Sequence, residues 1–271
     1  GADRTGNGRV VFVGAGPGDP ELLTLKGRRL LGEADVVVYA DSLVNPGVLA
    51  FARSEAEVHG SSALALEEIV ALMVAAAGAG KTVVRLHTGD PALYGAIFEQ
   101  MALLDEAGID YEVVPGVTAA TAAAAALKVE LTVPEVAQSL IVTRLEGRTP
   151  VPPTEGLRAL AAHGTTMALY LSAGDCDRVV RELQEGGYSP EAPVAAVYRA
   201  SWPDERVLRC RLRELPAQMA AAGISRQAVI LIGPALAPYL KRGATRASRL
   251  YNRHFSHGYR QGAADSRGGR S

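Results

Sequence analysis

Short runs of β-branched residues alternate along this chain with longer Ala- and Leu-rich stretches, and that alternation limits the fold more than any single motif. Val10–Val13, Val36–Tyr39, Val83–His87 and Tyr111–Val114 are near-continuous apolar runs of strand length. Runs of that kind suit strands buried on both faces of a parallel sheet. Between them, Glu21–Leu31, Leu64–Ala77, Ala92–Ala107 and Val117–Leu127 read as helices. The order predicts an α/β unit whose parallel sheet is covered on both faces. Lys128–Val136, with Pro134 and no clear period, predicts a domain boundary. After it come a strand at Ser139–Thr143, a Pro-rich loop at Thr149–Pro153, a helix at Thr154–His163, a strand at Thr166–Leu171 and a helix at Asp175–Glu185. Val194–Tyr198, Arg206–Cys210 and Ala228–Ile232 supply further strands. The interval from Val194 to Cys210 is too short for a helical crossover, so part of this sheet is expected to be antiparallel. The expectation is two unlike α/β domains, 1–128 with a mostly parallel sheet and 129–240 with a mixed one, followed by a basic tail at 241–271.

Composition removes several classes of function. Of 271 residues, 48% are hydrophobic and 21% charged, too apolar a balance for disorder. No apolar stretch approaches the roughly 18–20 residues needed to span a bilayer, and the polar Gly1–Arg9 segment has no secretory character. A net charge of −1 and 5% aromatic residues give neither an electrostatic drive toward nucleic acid nor many stacking platforms for it. Cys176 and Cys210 stand far apart, which excludes a disulfide scaffold or a Cys-based zinc site and suits a reducing cytoplasm. The five histidines, 59, 87, 163, 254 and 257, show no metal spacing and read as surface residues; no metal is expected. Charge is unevenly placed. Lys241–Ser271 holds eight Lys/Arg against Asp265 alone, so the tail carries +7 and the body −8. Beyond Tyr259 the tail reads as a solvated end, partly disordered over Ala263–Ser271; the alternative is a basic segment that folds back or meets a polyanion.

The motifs cluster where strands should end. Val13-Gly14-Ala15-Gly16-Pro17-Gly18-Asp19-Pro20 follows a strand and precedes a helix, a layout that brings backbone close to a nucleotide. It fails the dinucleotide fingerprint because Asp19 takes the third glycine position, and Pro17 and Pro20 remove amides that a phosphate cradle would use. The loop suits a flat, uncharged group such as an adenosine; the plain alternative is a tight turn, which needs one glycine rather than three. Leu86-His87-Thr88-Gly89-Asp90-Pro91 ends a strand that should be central, and Thr88 and Asp90 can hydrogen-bond a ribose or an amino group. The alternative makes Asp90 a simple N-cap. Pro115-Gly116-Val117-Thr118-Ala119-Ala120 ends another strand and leaves room for a ligand, although close helix packing would look the same. Asp41 and Ser42 end the second strand, and Arg144, Glu146 and Arg148 follow the domain boundary as either a solvated ion-pair cluster or a carboxylate-binding set. Gly80-Lys81-Thr82 imitates the end of a phosphate loop, but Ala75 stands where that loop needs glycine and the triplet precedes a strand; it reads as a helix C-cap and turn.

Gly14-Ala15-Gly16-Pro17-Gly18-Asp19-Pro20-Glu21-Leu22-Leu23-Thr24-Leu25-Lys26-Gly27 resembles the opening signature of the tetrapyrrole methylase family. Thr88-Gly89-Asp90-Pro91, Tyr94-Gly95 and Pro115-Gly116-Val117-Thr118-Ala119 match its later motifs in order and spacing, and the resemblance covers about residues 9–235. Tyr39-Ala40-Asp41-Ser42-Leu43-Val44, Thr143-Arg144-Leu145-Glu146-Gly147-Arg148-Thr149-Pro150 and the segments Ser248–Tyr251 and Phe255–His257 are similar to the branch that methylates precorrin-4 or cobalt-precorrin-4 at C(11) in cobalamin biosynthesis. His87 and Tyr198-Arg199-Ala200 depart from other branches.

The resemblance implies a class III methyltransferase-like fold of two α/β/α domains with S-adenosylmethionine in the cleft between them, leaving S-adenosylhomocysteine, in a cytoplasmic homodimer. Carried over by position, Pro17, Thr88, Gly89, Asp90, Leu93 and Tyr94 should line the cofactor site, together with Thr118, Ala119, Leu171, Ala200 and Ala228. Ser42, Arg144, Arg148 and Arg199 are the candidates for holding a carboxylate-rich macrocycle, and Asp41 or Glu146 for orienting it or taking up a proton. The rival readings are the same chemistry on uroporphyrinogen III, precorrin-2 or a protein acceptor, and a non-catalytic nucleotide-binding module.

Overall fold

The valine-rich runs build the first sheet. In the computed structural model, which describes residues 8–240, the strands are β1 (Arg9–Gly14), β2 (Val36–Tyr39), β3 (Glu57–Gly60), β4 (Thr82–His87) and β5 (Asp110–Val114). They pair in the order β3-β2-β4-β1-β5, all parallel, with Gly14 in register with His87 across β1 and β4. The tail at 241–271, with His254 and His257, lies outside the described residues.

The three central strands, β2, β4 and β1, bury side chains on both faces of the sheet. Helix α1 (Leu25–Glu33) begins where the Thr24 hydroxyl accepts the Gly27 amide, a side-chain N-cap. It lays Leu30 and Leu31 against Val11, Val13, Val84 and Leu86. On the other face, α2 (Leu66–Gly78) and α3 (Ile97–Glu106) bring Met73 and Leu104 onto Val10, Phe12, Val38 and Val83. Each fully buried side chain of this size stabilises the fold by about 1.5–3 kcal/mol. The chain leaving β1 therefore goes to one face and the chain leaving its neighbour β4 goes to the other. Loops that diverge in this way open a crevice at the carboxyl ends of the strands.

The phosphate-loop imitation ends α2 as expected. The Ala79 amide donates to Ala75 and Ala76, Gly80 takes φ +83°, and β4 starts at Thr82.

The second sheet comprises β6 (Leu140–Arg144), β7 (Thr166–Tyr170), β8 (Pro193–Tyr198), β9 (Arg206–Arg211) and β10 (Ala228–Ile232), in the order β6-β7-β10-β8-β9. Only β6 and β7 pair in parallel; β8 and β9 form the expected antiparallel pair. Helices α5 (Leu157–Ala161), α6 (Cys176–Glu185) and α7 (Leu215–Ala222) close a core that includes Met167, Leu169, Val179, Leu183, Leu212 and Leu215. Helix α4 (Ala119–Leu127) carries the chain across the division between the two compact units, which falls at Ala123 and Ala124. Residues 199–205 lie between β8 and β9 in sequence, yet they belong by contact to the first unit.

Candidate functional site

Three loops that the sequence presents separately meet at the carboxyl ends of β1, β4 and β5. Their junction is backbone on backbone. A Cβ on Gly14 would lie 2.6 Å from the Gly89 carbonyl oxygen and 2.7 Å from Gly116 Cα. One on Gly116 would lie 2.1 Å from the same oxygen and 2.9 Å from Gly14 Cα. Glycine is the residue that permits this approach. Gly16 and Gly89 exchange two hydrogen bonds, of 3.2 and 2.8 Å. Asp90 ties the third loop in, since one carboxylate oxygen accepts the Ala92 amide at 2.8 Å and the other accepts the Gly116 amide at 3.2 Å. Asp90 thus caps its own turn and also fastens β4 to the β5 loop.

The glycine loop is held from outside as well. The Ala15 amide donates to His87 O at 2.7 Å. Trp202 Nε1 donates to Pro17 O at 2.8 Å, Asn45 Nδ2 to Gly18 O at 3.0 Å, and the Asp19 amide to Ser201 Oγ at 2.9 Å. The amides of Ala15, Gly16 and Asp19 are spent inside the protein and Pro17 and Pro20 have none, so this loop offers little to a polyphosphate. Of these partners, Asn45, Ser201 and Trp202 were not singled out in the sequence. The one available signal was that Trp202 is the sole tryptophan of the chain.

The other expected cofactor residues fall in both units. Thr88, Thr118 and Ala119 stand half-buried beside the glycine junction's loops, and Ala200 is buried. Leu93 and Tyr94 are exposed, with Tyr94 at φ +58°. Leu171 (exposed, φ +53°) and Ala228 (buried) belong to the second unit.

Asp41 is exposed at the end of β2, where its two oxygens accept the Ser62 amide and hydroxyl, each at 2.8 Å. Those bonds, the backbone one foremost, hold its carboxyl below the usual range. Ser42 is exposed beside it. In the second unit Arg144 folds onto its own loop, donating to Leu145 O and Thr149 O, while Glu146 accepts the Val151 amide at 3.1 Å and Arg148 is exposed. Arg199 pairs with Asp204 at 2.7 Å and stacks over the Trp202 ring at 3.8 Å.

Below the junction lies a buried polar group. Arg85 Nε donates to Gln100 Oε1 at 3.1 Å and Nη1 to Val38 O at 3.3 Å, and burial lowers its pKa to about 10. His87, expected at the surface, is instead buried and stacked on Phe12, and its Nε2 meets no hydrogen-bond partner among the described residues. It is carried inward because strand alternation puts it on the same face as Arg85 and Val83. Desolvation, with Arg85 adding to it, lowers its pKa to about 3. His59 is half-buried and His163 exposed. Among the described residues no group of three or more His, Cys, Asp or Glu is placed to hold a metal ion, and no helix is long and apolar enough to cross a membrane.

Residues 9–216 match the family model of the Tetrapyrrole (Corrin/Porphyrin) Methylases. The chain belongs to this family. A relative from Methanocaldococcus jannaschii, cobalt-precorrin-4 C(11)-methyltransferase, is 51% identical over 255 residues, which is 94% of this chain and 97% of that protein. Among solved structures, the X-ray structure of a cobalamin biosynthetic enzyme, cobalt precorrin-4 methyltransferase, superposes with a TM-score of 0.82 at 50% identity, covering 84% of this chain and 95% of its own. Uroporphyrin-III C-methyl transferase from Thermus thermophilus, solved in complex with S-adenosyl homocysteine, gives 0.71 at 35% identity over 85% of this chain and 99% of its own. The two sheets here are one parallel and one mixed, as the pattern of runs predicts.

Proposed function

We propose that this chain transfers a methyl group from S-adenosylmethionine to C(11) of precorrin-4, or of its cobalt complex, giving precorrin-5 in cobalamin biosynthesis. The observation that carries the reading is the 51% identity with the Methanocaldococcus cobalt-precorrin-4 C(11)-methyltransferase across 94% of the chain. The cofactor is supported by the glycine junction, whose loop carries no cationic side chain and spends the amides of Ala15, Gly16 and Asp19 inside the protein, which suits an uncharged nucleoside better than a polyphosphate. Thr88, Gly89, Asp90, Thr118 and Ala119 are the residues of the first unit assigned to hold it, with Pro17, Leu93, Tyr94 and Ala200. Leu171 and Ala228 are carried over by position from the same family motifs.

S-adenosylmethionine supplies an electrophilic methyl group on a sulfonium centre. The contribution of this chain is positioning, which can account for roughly 7–11 kcal/mol of a barrier when reacting atoms are held in line. Asp90 serves that end by locking the 88–90 loop to Gly116. Asp41 is kept ionised by Ser62 and is assigned to orienting the macrocycle rather than to accepting its proton. Glu146 is the alternative to Asp41 in that role, and Ser42, Arg144, Arg148 and Arg199 complete the substrate assignment, Arg148 with an exposed guanidinium available to a carboxylate. A cytoplasmic homodimer belongs to the same reading, and the exposed Phe98 supports the dimer.

Isothermal titration with S-adenosylhomocysteine, run beside Asp90→Ala, tests the reading. Binding is expected for the native chain and a loss of at least about tenfold in the variant, whose two amide partners lose their acceptor. No heat from the native chain overturns the assignment. With cofactor bound, incubation with precorrin-4 and mass spectrometry should give a gain of one methyl group; gain on uroporphyrinogen III alone would move the chain to another branch.

A further inference from the structure

Gly18 is the third glycine of the loop, and its neighbour is a side chain rather than open space. A Cβ there would lie 2.1 Å from Trp202 Cδ1 and 2.4 Å from Nε1. The indole fills the place that any other residue at 18 would claim, and its N–H closes on the Pro17 carbonyl immediately before it. One residue earlier, Ser201 Oγ receives the Asp19 amide immediately after it. Two consecutive residues of the 199–205 segment therefore grip the peptides on either side of Gly18.

The segment is itself rigidly made. Arg199 stacks over the indole and pairs with Asp204, the Ser201 amide donates to Glu205 Oε1 at 2.8 Å, and the Trp202 amide donates to Arg199 O at 3.0 Å. Arg199 and Ser201 both hold positive φ, +46° and +70°. Left-handed backbone at two non-glycine residues within three is costly and persists only when surrounding contacts impose it. Strain spent to deliver an indole onto Gly18 points to a role for that contact.

We infer that Trp202 is a positioning residue for the cofactor loop: its indole N–H fixes the peptide between Pro17 and Gly18 so that Pro17 faces the adenosylated ligand. The inference rests on the methyltransferase reading above. It separates Gly18 from its neighbours in function, since Gly14 and Gly116 admit backbone whereas Gly18 admits Trp202.

Trp202→Phe keeps a ring over Gly18 and deletes the donor. With S-adenosylmethionine varied, KM is expected to rise about five- to tenfold, the worth of one hydrogen bond, with Kd for S-adenosylhomocysteine rising in step and kcat at saturating cofactor within about twofold of native. Ser201→Ala, which removes the Asp19 acceptor and leaves the indole, is the milder second variant and should raise Kd about two- to fivefold. Unchanged Kd and KM in both variants, or a fall in kcat with KM unchanged, overturns the inference. Absence of binding by the native chain would instead overturn the methyltransferase reading, so the two failures are distinct.

Discussion

At the scale of single residues, His87 shows how a strand can drag a titratable group into the interior. Its pKa near 3 lies below the ordinary 6.5, so between those values the unfolded chain binds the proton and the folded chain does not. Stability is therefore unaffected by this group above about pH 6.5 and declines as pH falls toward 3, by up to ~1.4 kcal/mol per pH unit. Denaturant melts of the native chain and His87→Phe between pH 7 and 4.5 should show the variant with the shallower decline; parallel curves would mean that His87 does not titrate in this way. Nothing in Leu86-His87-Thr88 announces the burial, because a histidine at a strand end is as easily placed outside. Asp41 illustrates the opposite limit. Its place at the end of β2 is legible from Val36–Tyr39, but the Ser62 partner comes from beyond β3, and no local pattern joins 41 to 62.

At the scale of elements, β1 and β2 are announced by runs buried on both faces and so spelled mostly in apolar residues, β4 is equally buried although it carries Arg85 and His87, and the edge strand β5 is marked by Tyr111, Val113 and Val114, of which Val114 alone is fully buried. Strand β3 carries no such run. Glu57, Val58 and Gly60 are exposed on an edge strand that is held by pairing with β2 rather than by burial, so hydrophobic pattern carries no trace of it. Helix α7 is silent for a related reason: half of Leu215–Ala222 is alanine and it buries only Leu215 and Met219. The glycine motifs were individually legible, but their meeting was not, since it depends on sheet order rather than on spacing. Gly116→Ala tests that meeting. Its Cβ faces backbone on both sides, which cannot yield as a flexible side chain would, and a loss of about 1–3 kcal/mol with loss of S-adenosylhomocysteine binding is expected. Gly147→Ala, with nothing within 4 Å, should stay within about 0.5 kcal/mol of native. Equal effects at both positions would show that the junction is not a close contact.

At the scale of the molecule, Phe98 is 78% exposed, apolar surface that suits a second copy of the chain. Light scattering should report a dimer that Phe98→Glu converts to monomer; a native monomer removes the dimer from the proposed function. The discontinuous first unit has a consequence for how the protein is made. Domains generally fold in order as they leave the ribosome. Here the Pro17 carbonyl and the Asp19 amide wait for partners 185 and 182 residues downstream. At roughly 5–20 residues per second that wait lasts on the order of ten to forty seconds. During synthesis the first sheet can form while its signature loop still lacks a clasp, and the nascent chain stays incomplete at its amino end until the second unit is largely translated.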